Sequence, residues 1–219
     1  MNRMRRQIAE HLRRSNTEHP TISSFGLFDF TELLELKEER STEGKKLLDT
    51  AIFIKATALT LKEHPVMNSR IEGDEIITYD TFNAGFAVDT PRGLIVLVLH
   101  DVLDKSVEEI SEGLRDLLKR LREGALTLDD YKGSTFTISN MSKAPFGSFS
   151  NSILNNDECI IVGIGGIHKS PMVVENDEIA VRQSAYVTLN YNHAIVDGVY
   201  AHHFLERLKE IFEHPKQYM

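Results

Sequence analysis

Met4, Ile8 and Leu12 recur at helical spacing with arginines on the other faces, which predicts a helix from Arg3 to Ser15 that stops before a His-Pro-Thr turn. Ile22 to Phe30 then alternates apolar and small residues as a strand does, and Thr31 is placed to cap a helix through Leu33, Leu34 and Leu36. A charged loop spans Ser41 to Lys45. Thr50 to Glu63 is apolar on most faces and predicts a buried helix ending before Pro65. Phe82 to Val88 and Leu94 to Leu99 read as a strand pair around the turn DTPRG. Ser106 and Glu109 form a capping box ahead of an apolar stripe, Val107, Ile110, Leu114, Leu117, Leu118 and Leu121, that runs to Gly124. Further strands are expected at Ser134 to Ile138, Cys159 to Ile167, Met172 to Val174, Ile179 to Val181 and Ala185 to Tyr191, then a helix from Gly198 to Phe212. Strands and helices that mix without strict alternation predict an α/β layered domain, a mixed sheet with flanking helices.

Composition narrows the function classes. A chain of 219 residues with 41% hydrophobic content supports one sizeable core, so a single domain over 1–219 is expected. Its 25 basic and 33 acidic residues give a net charge of -8, which argues against a surface for nucleic acid. The single cysteine, Cys159, excludes an intramolecular disulfide, and its apolar setting predicts a buried strand rather than a reactive thiol. No segment approaches the roughly 18 to 20 apolar residues of a membrane span, and the Arg-rich start carries an acidic Glu10, as a structural helix does. The expected setting is cytoplasmic, with no membrane contact. No internal repeat or low-complexity tract is evident.

Two segments carry candidate chemistry. LNYNHAIVDG places His193 at the end of a strand pattern, with Asp197 and Gly198 just before an amphipathic helix. Imidazoles ordinarily titrate near neutrality, so a histidine presented to a cleft suits general base work, and Asp197 can fix the turn through a buried ion pair. The same spacing also fits a histidine satisfied in the core beside an N-capping aspartate. GSTFTISN puts Ser139 at the far end of a short strand, where a hydroxyl can donate to an oxyanion or, as Ser-Asn pairs more commonly do, bond its own backbone.

These segments occur with others in a fixed order. RRQIAEHLRRS, FNAGFAVDTPRGLIV, REGALTLDDYKGSTFTISN and YNHAIVDG together resemble the catalytic domain of the dihydrolipoamide acyltransferases of 2-oxo acid dehydrogenase complexes, from about Arg5 to Phe212. The resemblance implies the coenzyme A-dependent acyltransferase fold shared with chloramphenicol acetyltransferase, whose histidine motif HAIVDG also resembles. It implies acyl transfer between dihydrolipoamide and coenzyme A, with the lipoyl group and coenzyme A as substrates and no metal. In this reading His193 is the general base, Ser139 the oxyanion donor and Asp197 the residue that holds the histidine loop, with Arg5 or Arg6 as its basic partner. Arg92, Gly93, Asn140 and Gly198 are implied to lie near the substrates. The implied assembly is a homotrimer within a larger core, with His193 of one chain facing Ser139 of its neighbour. The implied partners are a lipoyl domain, a 2-oxo acid decarboxylase and a dihydrolipoamide dehydrogenase. Lipoyl and peripheral-subunit-binding domains are not part of this sequence. The alternatives are a free-standing O-acetyltransferase and a catalytically silent scaffold.

The sequence departs from the family pattern at Asn192 and Ala194, where Asp and Arg are usual, and at Leu97, where a proline is usual. MSKAPFGSFSNSILNNDE lacks the usual glycine and the Ile-Asn-Pro turn, which leaves loop geometry and acyl preference open. GIGGIHKS superficially resembles a phosphate loop, but His168 falls where the second glycine belongs. His202 and His203, adjacent on a helix, point about 100° apart and predict no metal site with His193.

Overall fold

The structure is a computed structural model that describes residues 3–42, 45–91, 93–155 and 157–219. Five helices appear among the described residues: α1 (Arg3–Glu18), α2 (Thr31–Arg40), α3 (Asp49–Glu63), α4 (Val107–Glu123) and α5 (Gly198–Glu213). The strands are β1 (Thr21–Asp29), β2 (Ser69–Glu72), β3 (Glu75–Thr78), β4 (Ala84–Val88), β5 (Ile95–Leu99), β6 (Phe136–Asn140), β7 (Ile160–Ile164), β8 (His168–Val173) and β9 (Ile179–Asn192). Seven form one sheet in the order β1-β9-β7-β6-β4-β5, with β8 also paired to β9. The pairs β4–β6 and β6–β7 are parallel and the rest antiparallel, so the sheet is mixed as expected.

Helices α2 to α5 cover one face of the sheet. There the aromatic rings of Phe28, Phe30, Phe53 and Phe212 meet at centroid distances of 5.5 to 5.9 Å. Each buried side chain of this size contributes about 1.5–3 kcal/mol. Helix α4 follows its signals closely. Ser106 accepts from the Glu109 N–H while the Glu109 carboxylate accepts from the Ser106 N–H, and Gly124 ends the helix at φ 68°.

Period-two alternation sends the remaining side chains of the sheet to its second face. Across that face the register places Phe25, Thr188, Gly163 and Ser139 in one row. A Cβ on Gly163 would meet Thr188 Oγ1 at 2.4 Å, so this row is closed by the absence of a side chain at its centre. The segment between β6 and β7 returns across this face and is held to α1 by the Ser15 hydroxyl, which donates to the Leu154 carbonyl at 2.6 Å. Cys159, at the end of that segment, is fully buried, and burial pushes its thiol up to about 12, as an inert core cysteine.

Several boundaries differ from the sequence reading. The first helix continues three residues beyond Ser15 to Glu18. Thr31 does not cap α2. Instead Asp29 Oδ1 accepts from both the N–H and the hydroxyl of Thr31, at 2.8 and 2.5 Å. The two expected strands at 179–181 and 185–191 are one strand, because the polar residues between them have partners. Ser184 bonds Ser170 at 2.6 Å, the Gln183 carbonyl accepts from Phe30, and Arg182 approaches Asp29 at 3.5 Å. The hairpin β2–β3, with Gly73 at φ 62°, was not anticipated. No helix among the described residues is long and apolar enough to cross a membrane.

Candidate active site

His193 lies one residue beyond β9 and is solvent-exposed. Its backbone N–H donates to the Pro20 carbonyl at 2.8 Å, which fixes the strand end against the start of β1. The turn that follows is built around Asn192. The Asn192 carbonyl accepts from the N–H groups of Ile195 and Val196, at 3.0 and 3.3 Å, and its side-chain Oδ1 accepts from the Ala194 N–H at 3.0 Å. The imidazole stacks beside Tyr191, with ring centroids 6.0 Å apart and planes inclined by 29°. The ring is thus held by backbone and stacking contacts while its nitrogens make no hydrogen bond among the described residues.

Asp197 occupies the N-cap position of α5, yet its side chain makes no capping bond and is exposed. None of the ion pairs among the described residues includes it, so the expected buried pair with Arg5 or Arg6 is not formed within one chain. Gly198 opens α5 close to the Tyr191 hydroxyl, 3.6 Å from the position a Cβ would take.

Ser139 sits on β6 with its side chain on the sheet's second face, in a narrow cleft lined by Met141, Phe149, Ser150, Gly163 and Thr188. Its hydroxyl makes no hydrogen bond among the described residues, so it is not the self-bonded turn serine that its Ser-Asn pair also fits. Asn140, the next residue, points to the opposite face. Its Nδ2 donates to Thr50 Oγ1 at 2.9 Å and its Oδ1 accepts from the Ser142 N–H at 2.9 Å, so its amide is committed to holding the strand end.

The fold does not bring His193 and Ser139 together in one chain. Ser139 and Thr188 share a row, separated by β7, and His193 lies five positions further along the β9 direction. Two strand spacings of ~4.8 Å and five rises of ~3.3 Å put the residues on the order of 20 Å apart. Gly93 closes the turn after β4 at φ 127°, with Thr90 and Gly93 exchanging backbone bonds at 3.2 and 2.9 Å. Arg92 lies outside the described residues.

The sequence reading missed Glu158. It is fully buried behind the same sheet face, where Asn155 donates to its Oε1 at 2.9 Å and Ser134 donates to the same oxygen. Burial pushes its carboxyl up to about 7, against the lowering effect of Ser134, Thr137 and Asn155. Its Oε2 is buried with no hydrogen-bond partner among the described residues. A charged residue followed by an apolar strand, Glu158-Cys159-Ile160-Ile161, was the signal available for it. His168 opens strand β8 rather than a phosphate loop. His202 bonds the Gly198 carbonyl and His203 bonds Glu206. Among the described residues no group of three His, Cys, Asp or Glu side chains is placed to hold a metal.

Comparison with known proteins converges on one family. The family model for the 2-oxoacid dehydrogenases acyltransferase (catalytic domain) matches residues 1–219. The chain is 35% identical over 99% of its length to the mitochondrial dihydrolipoyllysine-residue succinyltransferase component of the 2-oxoglutarate dehydrogenase complex of Saccharomyces cerevisiae, and covers 48% of it. It is 36% identical over 96% of its length to the lipoamide acyltransferase component of the branched-chain alpha-keto acid dehydrogenase complex of Bacillus subtilis, covering 50%. It therefore spans about half the length of these relatives. Among solved structures, the cubic core of the pyruvate dehydrogenase multienzyme complex superposes with a TM-score of 0.93 at 29% identity, over 99% of this chain and 91% of that one. A dihydrolipoamide acetyltransferase of Azotobacter vinelandii, studied for the catalytic roles of a serine, a histidine and an asparagine, gives 0.90 at 28% identity, over 99% and 91%. Chloramphenicol acetyltransferase shares the fold, with a TM-score of 0.57 at 14% identity over 89% and 86%. With its mixed sheet, its exposed strand-end histidine and its match over the whole chain, the protein belongs to the family of 2-oxoacid dehydrogenase acyltransferase catalytic domains.

Proposed function

We propose that this chain transfers an acyl group between dihydrolipoamide and coenzyme A as the core of a 2-oxo acid dehydrogenase complex, at a site shared by two copies. One observation carries the reading. His193 is held at an exposed strand end, Ser139 presents an uncommitted hydroxyl, and about 20 Å of sheet separates them within one chain. Two residues so placed complete each other across an interface. The exposed rings of Phe25 and Phe149, 5.7 Å apart beside the Ser139 cleft, supply apolar surface for such a contact.

In the proposed reaction His193 takes the proton from one thiol, and the thiolate attacks the carbonyl carbon of the acyl thioester. Ser139 donates to the oxyanion that forms. Collapse expels the second thiolate, which regains the proton from the imidazolium. Any thiol of ordinary pKa ~8.5 yielding its proton to an ordinary imidazole of ~6.5 faces a deficit of about 2.7 kcal/mol. That is small beside catalytic barriers, and a hydroxyl aimed at the oxyanion offsets it. Asp197 is proposed to find its basic partner across the interface, where Arg92, Gly93 and Gly198 meet the substrates. The proposed assembly is a trimer within a larger core, served by a lipoyl domain, a 2-oxo acid decarboxylase and a dihydrolipoamide dehydrogenase. The proposed setting is cytoplasmic.

The test is exchange of acetyl, succinyl and branched acyl groups between coenzyme A and dihydrolipoamide. Turnover with one of them is expected. Turnover only onto a small-molecule hydroxyl indicates a free-standing O-acetyltransferase, and none with any acceptor indicates a scaffold.

A further inference from the structure

The turn that carries His193 rests on a second histidine, to which the proposed reaction assigns no role. Asn192 is 1% exposed, and both ends of its side-chain amide are engaged. The Ala194 N–H can only donate, so the amide atom 3.0 Å from it is Oδ1. The other end is therefore the NH2 group, and it faces His19 Nδ1 at 3.1 Å. An amide NH2 cannot accept, so Nδ1 is the unprotonated nitrogen and the proton of the neutral ring lies on Nε2. Nε2 in turn looks toward Asp157 Oδ1, 3.7 Å away. His19 immediately precedes Pro20, whose carbonyl receives the His193 N–H, so both supports of the His193 turn come from one dipeptide.

We infer that His19, as its neutral Nε2–H tautomer, is a positioning residue for His193, acting through the Asn192 amide. This rests on His193 being the base of the proposed reaction. Protonation at Nδ1 would set two donors face to face. Asn192 would then have to turn its oxygen toward His19, leaving the Ala194 N–H without its acceptor and loosening the turn that presents His193. The charged group facing His19 is Asp157 from the segment before β7, which also pairs with Arg14 of α1, itself paired with Glu18, while β9 offers only the neutral amide. Asp157 Oδ1 lies 3.7 Å from Nε2, and Arg14 lies 3.6 Å from the same carboxylate oxygen. Acidification is thus expected to reach the His193 turn through the His19–Asn192 contact.

The test compares wild type, His19→Leu and His19→Asn in the full protein. The Asn side chain places an oxygen where Nδ1 stands and cannot be protonated, whereas Leu leaves the buried NH2 group without an acceptor. His19→Leu should lower kcat about tenfold with the KM for coenzyme A within about twofold, and His19→Asn should recover most of that loss above pH 8. Acidification should lower kcat by a larger factor in wild type than in His19→Asn. Hydrogen exchange over residues 192–197 gives a readout free of any assay. After correction for the intrinsic rate, acidification should speed it in wild type and leave it unchanged in His19→Asn. The inference is overturned if His19→Asn shows the wild-type pH response of exchange, or if Leu and Asn behave alike. Should no acyl acceptor turn over, the exchange arm still decides the role of His19, while the acyl-transfer reading fails separately. If His19→Leu does not fold, the comparison of wild type with His19→Asn decides alone.

Discussion

Glu158 is the residue whose chemistry departs most from its type. Its carboxyl is raised from an ordinary 4.5 to about 7 because the folded chain encloses it completely. A carboxyl with a raised folded pKa binds its proton more tightly in the folded state, so its contribution to stability is full below about 4.5 and is lost as the pH climbs to about 7. The loss is on the order of 3 kcal/mol. Replacement by the uncharged isostere, Glu158→Gln, should therefore shift the melting temperature increasingly in the variant's favour from pH 5 to pH 8. A pH-independent difference would show that this carboxyl does not titrate in the folded protein. Ser139 makes the opposite kind of prediction, about rate rather than stability. Ser139→Ala should lower kcat by about 10² to 10³ with little change in KM, the usual loss for one oxyanion donor. A change confined to KM would make Ser139 a binding residue. At this scale the placing of Ser139 on a strand and His193 at a strand end was legible because the strand pattern marks both. The amide pair of Asn192 and His19 was not, since 173 positions separate the two and only the β1–β9 register brings them together.

Elements whose signals are local were read well. Helix α4 carries its own cap, stripe and terminal glycine, and its bounds match those signals. Strand β9 was split because Arg182, Gln183 and Ser184 look like a turn until β8, Asp29 and the backbone of Phe30 supply partners for them. Hairpin β2–β3 was missed for a similar reason, since its charged residues mask a short two-stranded ladder. One long-range brace ties α4 to the approach to β6. Arg120 grips Asp130 through two bonds of 2.6 and 2.9 Å, and the Thr127 N–H donates to the same carboxylate at 2.7 Å. The Arg120 guanidinium, helped by the Thr127 bonds and opposed by burial, sets this carboxyl below its usual range. Asp130→Ala should cost about 2–4 kcal/mol in urea unfolding, because the Thr127 N–H and part of the guanidinium lose their acceptor. A loss below about 0.5 kcal/mol would mean the brace behaves as an ordinary surface ion pair.

At the scale of the molecule, the mixed sheet and flanking helices follow from the order of elements, and the chain's match to its family spans the entire sequence. What periodicity and composition could not express is that one sheet face holds Ser139 while the end of the interior strand β9 carries His193, on the order of 20 Å away. Under the proposed reaction, that separation makes assembly a condition of the chemistry. Asp197, exposed and in no ion pair among the described residues, is expected to be satisfied by the same association. The measurement that tests this most directly is mixing of two disabled chains, His193→Ala and Ser139→Ala, refolded together in equal amounts. Each alone should be severely slowed. In a randomly mixed trimer about a quarter of the interfaces pair an intact His193 with an intact Ser139, so activity should recover to about a quarter of wild type. If mass spectrometry proves mixed trimers and activity stays at the level of the single variants, the two residues do not form one site between copies.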